Sequence, residues 1–181
     1  NFLDVPLRKQ INLLNRWQYS DSEKGLISFI NIKYLNDNLQ SGELDFDPDT
    51  DRMTMNAWGS ETATERFETS FKLGYVDTDL PYRSLGFQTD FSYHDQEAYF
   101  GLRNYDITHR SLYSNLIYNS IISDSRHKIK TGLNITHDNY RENADGIAYN
   151  REDNSVGSFF EYAFENLKDI TLTAGLRADL H

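Results

Sequence analysis

The stretch DITLTAGLRADL, residues 169–180, decides how the rest of the chain is read. Ile170, Leu172, Ala174, Leu176, Ala178 and Leu180 fall at every second position, with Thr171, Thr173, Gly175, Arg177 and Asp179 between them. A β-strand sends successive side chains to opposite faces, so this segment has one wholly apolar face and one polar face that carries both a cation and an anion. The apolar face must touch either a protein core or hydrocarbon, and the function depends on which.

Composition narrows the choice. The chain has 181 residues, 38% hydrophobic and 25% charged, which argues against disorder. No stretch approaches the roughly 18 apolar residues of a transmembrane helix, so a helical membrane protein is excluded. A membrane barrel is not, because its strands alternate lipid-facing with lumen-facing residues and dilute the hydropathy signal. With 28 acidic against 18 basic residues the formal charge is -10, which makes nucleic acid an unsuitable partner. The chain has no Cys, which removes disulfide frameworks, thiolate metal sites and cysteine nucleophiles. The opening residues NFLDVPLRKQ lack a signal peptide's apolar run and cleavage site, so the chain reads as mature or as a piece of a longer one.

Period-two segments recur from end to end and predict eight strands, near 10–20, 25–36, 65–77, 84–95, 106–122, 127–139, 154–165 and 169–180. Phe67, Thr69, Phe71, Leu73 and Tyr75 share one face, as do Leu85, Phe87, Thr89, Phe91 and Tyr93, and as do Val156, Phe160, Tyr162 and Phe164. In GLISFINIKYLN and HRSLYSNLIYNSII apolar residues occur on both faces, so the pattern leaves the facing open there.

The connections are expected to alternate in length. Short turns, SDSEKG, DTDLPYR, SDSR and NLKD, follow strands one, three, five and seven. Long loops follow strands two, four and six, as residues 37–64, 95–105 and 140–154. Short turns on one rim and long loops on the other are the pattern of outer-membrane barrels. Strands of ten to twelve residues, at about 3.3 Å each and tilted by about 35–45°, rise roughly 25–30 Å, close to the apolar band of an outer membrane. Trp17, Tyr19, Tyr34, Tyr75, Tyr93, Tyr118 and Phe164 collect near the ends of the apolar faces, where interfacial girdles lie. A soluble antiparallel sheet with one buried face also alternates, so a soluble sandwich or barrel that binds carbohydrate or protein is the competing reading. A small adhesion-type barrel is a third. Because a short turn follows strand one, the eighth strand ends at the loop rim, and an arc of a larger barrel is expected rather than a complete small one.

The segments RKQINLLNRWQY, GLISFINIKYLND, FKLGYVDTDLPYRSLGFQ, SLYSNLIYNSII, KTGLNITHDNYRE, NSVGSFFEYAFENL and ITLTAGLRADLH resemble the front part of the barrel of TonB-dependent outer-membrane receptors. The resemblance covers essentially the whole chain, and LTAGLRADLH is its most recognisable piece. It implies an all-β, antiparallel up-and-down transmembrane barrel of 22 strands, of which residues 1–181 supply about eight, with the plug domain and remaining strands absent from this chain. It further implies import of a large scarce nutrient of the ferric siderophore, haem or cobalamin class across the outer membrane of a Gram-negative bacterium. The implied partners are membrane lipid, the TonB energy-transducing complex acting through the plug, the nutrient itself and a surface lipoprotein.

Two sets of side chains carry potential chemistry. Asp45, Asp47, Asp49 and Asp51 alternate in the first long loop, where extended backbone would point all four carboxylates one way toward a hard cation such as calcium. The competing reading is a solvated acidic loop, and no other cofactor is expected. Tyr99, Phe100, Arg103 and Tyr105 in the second long loop, with Tyr140, Arg141, Tyr149 and Arg151 in the third, offer stacking area and cationic contacts for a ligand at the barrel mouth, or packing between loops. Lys33, Lys72, Asp90, Lys130, Glu161 and Arg177 fall in phase with the polar faces, where they pair across strands or hold a plug. The His-Asp dipeptides at 94–95 and 137–138 would be the start of a metal or acid-base pair, but their places at strand ends read as rim residues. No H-E-x-x-H, G-x-S-x-G, Walker or dinucleotide signature occurs, and no catalytic residue is expected.

Overall fold

The computed structural model describes residues 1–166 and 169–181; the expected turn NLKD therefore lies partly outside the described residues, at Leu167 and Lys168. Eight strands, β1 (Leu7–Asp21), β2 (Leu26–Gly42), β3 (Gly59–Val76), β4 (Ser84–Phe100), β5 (Arg103–Ile122), β6 (Asp124–Ala144), β7 (Ile147–Glu165) and β8 (Thr171–Leu180), form one antiparallel sheet in sequence order. Among the described residues only consecutive strands touch, so β1 and β8 are both open edges and no second sheet covers either face. A sandwich needs two layers; this sheet is a single wall.

Register puts every apolar stripe on the same face. Across the middle of the sheet Leu73 stands opposite Phe87, Phe87 opposite Leu116, and Leu116 opposite Leu133. The two ambiguous segments are resolved by their neighbours: Leu26, Ile30, Ile32 and Tyr34 of β2 and Leu112, Leu116 and Tyr118 of β5 join the apolar face, while Ile27, Phe29, Tyr113 and Ile117 take the polar one. All seven expected girdle aromatics lie on the apolar face, and Tyr34, Phe67 and Tyr93 form one row at its outer end. Among the described residues only Phe46, Ala98 and Tyr99 are buried hydrophobics, so the apolar face has no partner within the chain.

The position of that band fixes the slant of the strands. Following register from Ile11, at the band's outer end in β1, the partners run Asn36, Glu65, Asp95, Thr108, Arg141 and Asn150. In β7 the band begins instead at Val156, six residues further along (156 − 150). Six residues at about 3.3 Å, set against six strand spacings of about 4.8 Å, correspond to a tilt of about 35° between the strands and the normal of the band. The side chains of a water-facing sheet have no reason to follow a level oblique to its ladder.

Two of the three expected long loops are absent. Residues 95–105 and 140–154 continue as paired strand, closing in two-residue turns at Gly101–Leu102 and Asp145–Gly146. Asp145 (φ 52°) and Gly146 (φ 82°) both take the left-handed region that a type I′ hairpin turn requires. Beyond the apolar band backbone pairing continues regardless of side-chain polarity, so polar, non-alternating strand had the appearance of loop. The strands are accordingly up to 21 residues long, well beyond the expected ten to twelve. Only the connection at residues 43–58 is long, and what distinguishes the two rims is chiefly how far β2 to β7 project past the band.

Candidate functional site

The charges of the polar face are arranged in partnerships. Lys33 Nζ lies 3.1 Å from Glu68 Oε2, and Arg66 Nη2 lies 2.5 Å from Glu68 Oε1. Asn31 donates to Ser70 Oγ at 2.8 Å, and Gln88 donates to Asp90 Oδ2 at 2.6 Å. Lys130 stands directly opposite Glu161, and Arg177 pairs with Asp179 two residues on at 2.7 Å. All six charged residues expected on this face are there, together with a depression of about 350 Å³ lined by Asn31, Lys33, Glu68, Asp90 and Tyr113.

Above the band, one register row brings together side chains from five strands: Arg66, His94, His109, Tyr140 and Arg151. The His109 and Tyr140 rings are parallel within 4° at 4.0 Å, and the Arg151 guanidinium sits 3.9 Å from the Tyr140 ring centre. His109 Nε2 is 2.9 Å from Asp138 Oδ1, and Arg151 Nη1 is 3.2 Å from Glu142 Oε1. The result is a stack of imidazole, phenol and guanidinium fixed by flanking carboxylates, a rigid surface against which a flat or oxygen-rich group can lie. Burial, reinforced by Arg66 and His109, holds His94 below the usual imidazole range.

The sequence-derived ligand candidates divide on this geometry. Tyr140 and Arg151 meet in the stack; Phe100, Arg103, Tyr105 and Tyr149 share its face nearer the turns, with Arg103 Nε 3.8 Å from Asp145. Arg141 points to the opposite face, opposite Thr108 and Asn150. Tyr99 also faces outward and is 2% exposed, packed beneath the 43–58 connection with Arg52 4.9 Å over its ring and Phe46 6.4 Å away. All eight belong to strands, not loops. His109, Asp138, Glu142, Arg66 and His94 were not singled out as ligand contacts. Each His-Asp dipeptide is split between faces, and the partner of Asp138 is His109 across the ladder, not His137 beside it. The signal that would have revealed the stack is the Asp-Gly at 145–146: a two-residue turn there makes Tyr140 face Arg151.

The acidic connection is turned, not extended, over residues 48–54. Asp47 accepts the Asp49 amide through Oδ1 at 3.0 Å, while Asp51 accepts the Asp47 amide at 3.0 Å and Asn56 Nδ2 at 3.4 Å. Two of the four carboxylates are thus occupied in local turns, and among the described residues no three His, Asp or Glu side chains converge in a metal-binding arrangement.

No protein-family model matches the sequence, and no curated protein matches it. Among solved structures, the alcaligin outer membrane receptor FauA from Bordetella pertussis superimposes over 95% of this chain with a TM-score of 0.73 at 12% identity. The match takes up 28% of that receptor's length. The chain therefore has the fold of part of an outer-membrane receptor barrel.

Proposed function

We propose that this chain is an arc of the wall of a TonB-dependent outer-membrane importer. The observation that carries the reading is the apolar band: continuous over eight strands, uncovered within the chain, and inclined to the strands by about the tilt of a membrane barrel. In hydrocarbon the open edges of β1 and β8 need strand partners, so the arc is completed by further strands of the same barrel. The paired charges of the polar face line the lumen and hold a plug through which TonB delivers energy. The projecting strands form the outer mouth, where the His109, Tyr140 and Arg151 stack contacts the incoming nutrient. A ferric siderophore, haem or cobalamin is the class of cargo, and likeness to an alcaligin receptor favours the siderophore. The work is binding and translocation, with no bond made or broken.

The test is uptake by cells that express the full-length receptor, with radiolabelled ferric siderophore, haem and cobalamin supplied in turn. Uptake of one of them that disappears on deleting the receptor or TonB is the expected result. A receptor that fractionates outside the outer membrane, or uptake indifferent to TonB, would overturn the proposal.

A further inference from the structure

The connection at residues 43–58 leans against the outward face of the wall instead of over the lumen. Gly42 and Gly59 stand opposite one another on that face, and a Cβ on Gly59 would collide with the Phe46 ring, which occupies the space. Arg52 stacks on Tyr99, and Trp58 lies against Gly101, where a Cβ would meet its Nε1 at 2.8 Å. The segment is thus anchored at three points by its own aromatic and basic side chains. What it presents to the outside is apolar: Leu44, Met53, Met55 and Trp58 are exposed, Met55 at 85%. Both methionines of the chain are here. Met53 also holds a left-handed conformation (φ 56°), which costs a non-glycine residue on the order of 1 kcal/mol and marks a side chain placed against local preference. Exposed methionine is an adaptable contact surface for a protein partner. The same segment carries Glu43, Asp45, Asp47, Asp49 and Asp51, while its one base, Arg52, is spent on Tyr99.

From this arrangement we infer that the 43–58 connection is a docking surface for a protein partner whose contact face has an apolar centre ringed by lysine and arginine. Height excludes acyl chains: Gly59 lies eight residues beyond the girdle residue Phe67 (67 − 59), about 20 Å above it at a tilt of about 35°. Charge disfavours a second copy, since each chain would bring the same acidic rim and a formal charge of -10. A basic rim on the partner gives both steering and register.

The experiment places photoreactive benzoylphenylalanine at position 55 of the full-length receptor in native outer membranes, with the same residue at Tyr149 on the lumen face as control. The expected result is a protein adduct from position 55 alone, with lysine or arginine in the partner's cross-linked peptide. Its yield should fall at least about threefold at high salt, and likewise in a Glu43→Gln, Asp45→Asn, Asp49→Asn receptor, which keeps the turn-capping Asp47 and Asp51. Folding of each variant is checked by heat-modifiable migration. Adducts only with lipid, with a second receptor or within the same chain, no protein adduct, or a yield unchanged after neutralisation would each overturn the inference. None of these outcomes depends on which nutrient is carried, so failure here and failure of the importer proposal are separately visible.

Discussion

Leu116 and Asn115 are neighbours in β5 whose side chains leave the sheet on opposite sides, and the same substitution at each tests which side meets lipid. Leu116 is 39% exposed, stands between Phe87 and Leu133, and lies near the middle of the Leu112–Tyr118 stripe. Asn115 opens into a depression of about 380 Å³ on the polar face, with Asn134, Arg177 and Asp179 around it. If the apolar face is immersed in hydrocarbon, Leu116→Arg costs about 2–4 kcal/mol near the bilayer midplane, a shift of about 30- to 700-fold in the folding equilibrium. Asn115→Arg breaks no side-chain hydrogen bond, because the Asn115 Oδ1 has none, and its guanidinium reaches a wet cavity that holds Asp179. Its cost should stay within about 0.5 kcal/mol, as for a surface substitution. The measurement is equilibrium unfolding of the full-length protein from lipid vesicles in denaturant, with tryptophan emission and heat-modifiable migration as paired readouts. Equal costs at the two positions, or a greater cost at Asn115, would refute the assignment of faces, because an apolar side facing water would accept arginine at Leu116 with little loss.

Three further outcomes follow from the same geometry. Gly132→Ala should destabilise the barrel by about 1–3 kcal/mol, since its Cβ would meet the Phe159 ring at 2.5 Å and the Leu116 carbonyl at 2.6 Å; denaturant midpoints check this. In a double-mutant cycle on Tyr140 and Arg151, a coupling of about 0.5–1 kcal/mol in stability is expected from the guanidinium over the ring, and a value near zero would remove the stack from the description. Asp124, below the band on the turn rim, is held by Arg126 at about 2 against an ordinary 3.8. A carboxylate lowered on folding stabilises above its unfolded value and loses that contribution as pH falls from about 4 through 2. Asp124→Asn should therefore flatten the acid limb of the protein's stability profile over that window, with its loss of stability fully present at neutral pH and vanishing below about pH 2.

The existence, number and order of the strands were legible because the uncovered apolar side of each ribbon keeps a strict period of two that propensity alone never would. Their lengths were not. Past the band alternation loses its meaning, and Glu61 and Glu97 look like loop although both sit in the ladder. The site suffered from the same blindness. Tyr140 and Arg151 were recognised as residue types suited to a ligand, but the stack that makes them a surface needs His109, which comes into contact only through the β5–β6 register. Tyr99 shows the converse: a residue with the right chemistry for binding is removed from solvent by a connection whose path no periodicity announces.

On the importer proposal, two solvents account for the division of labour in this wall. Within the band the outward side chains meet a medium that offers no hydrogen bonds and accepts no charge, so the charged residues are confined to the polar face, where they neutralise one another in pairs such as Lys33 with Glu68. Above it the constraint lifts on both sides at once. The outward surface turns acidic, with Glu65 directly opposite Asp95 and Glu97 directly opposite Asp106, pairs that a lipid-facing position would forbid and that a ladder in water tolerates at some loss. The polar side at the same height gathers aromatic and basic groups such as Tyr140, Tyr149 and Arg151. Recognition chemistry is therefore expected only where the chain leaves the bilayer, and that is where both the lumen stack and the outward connection stand.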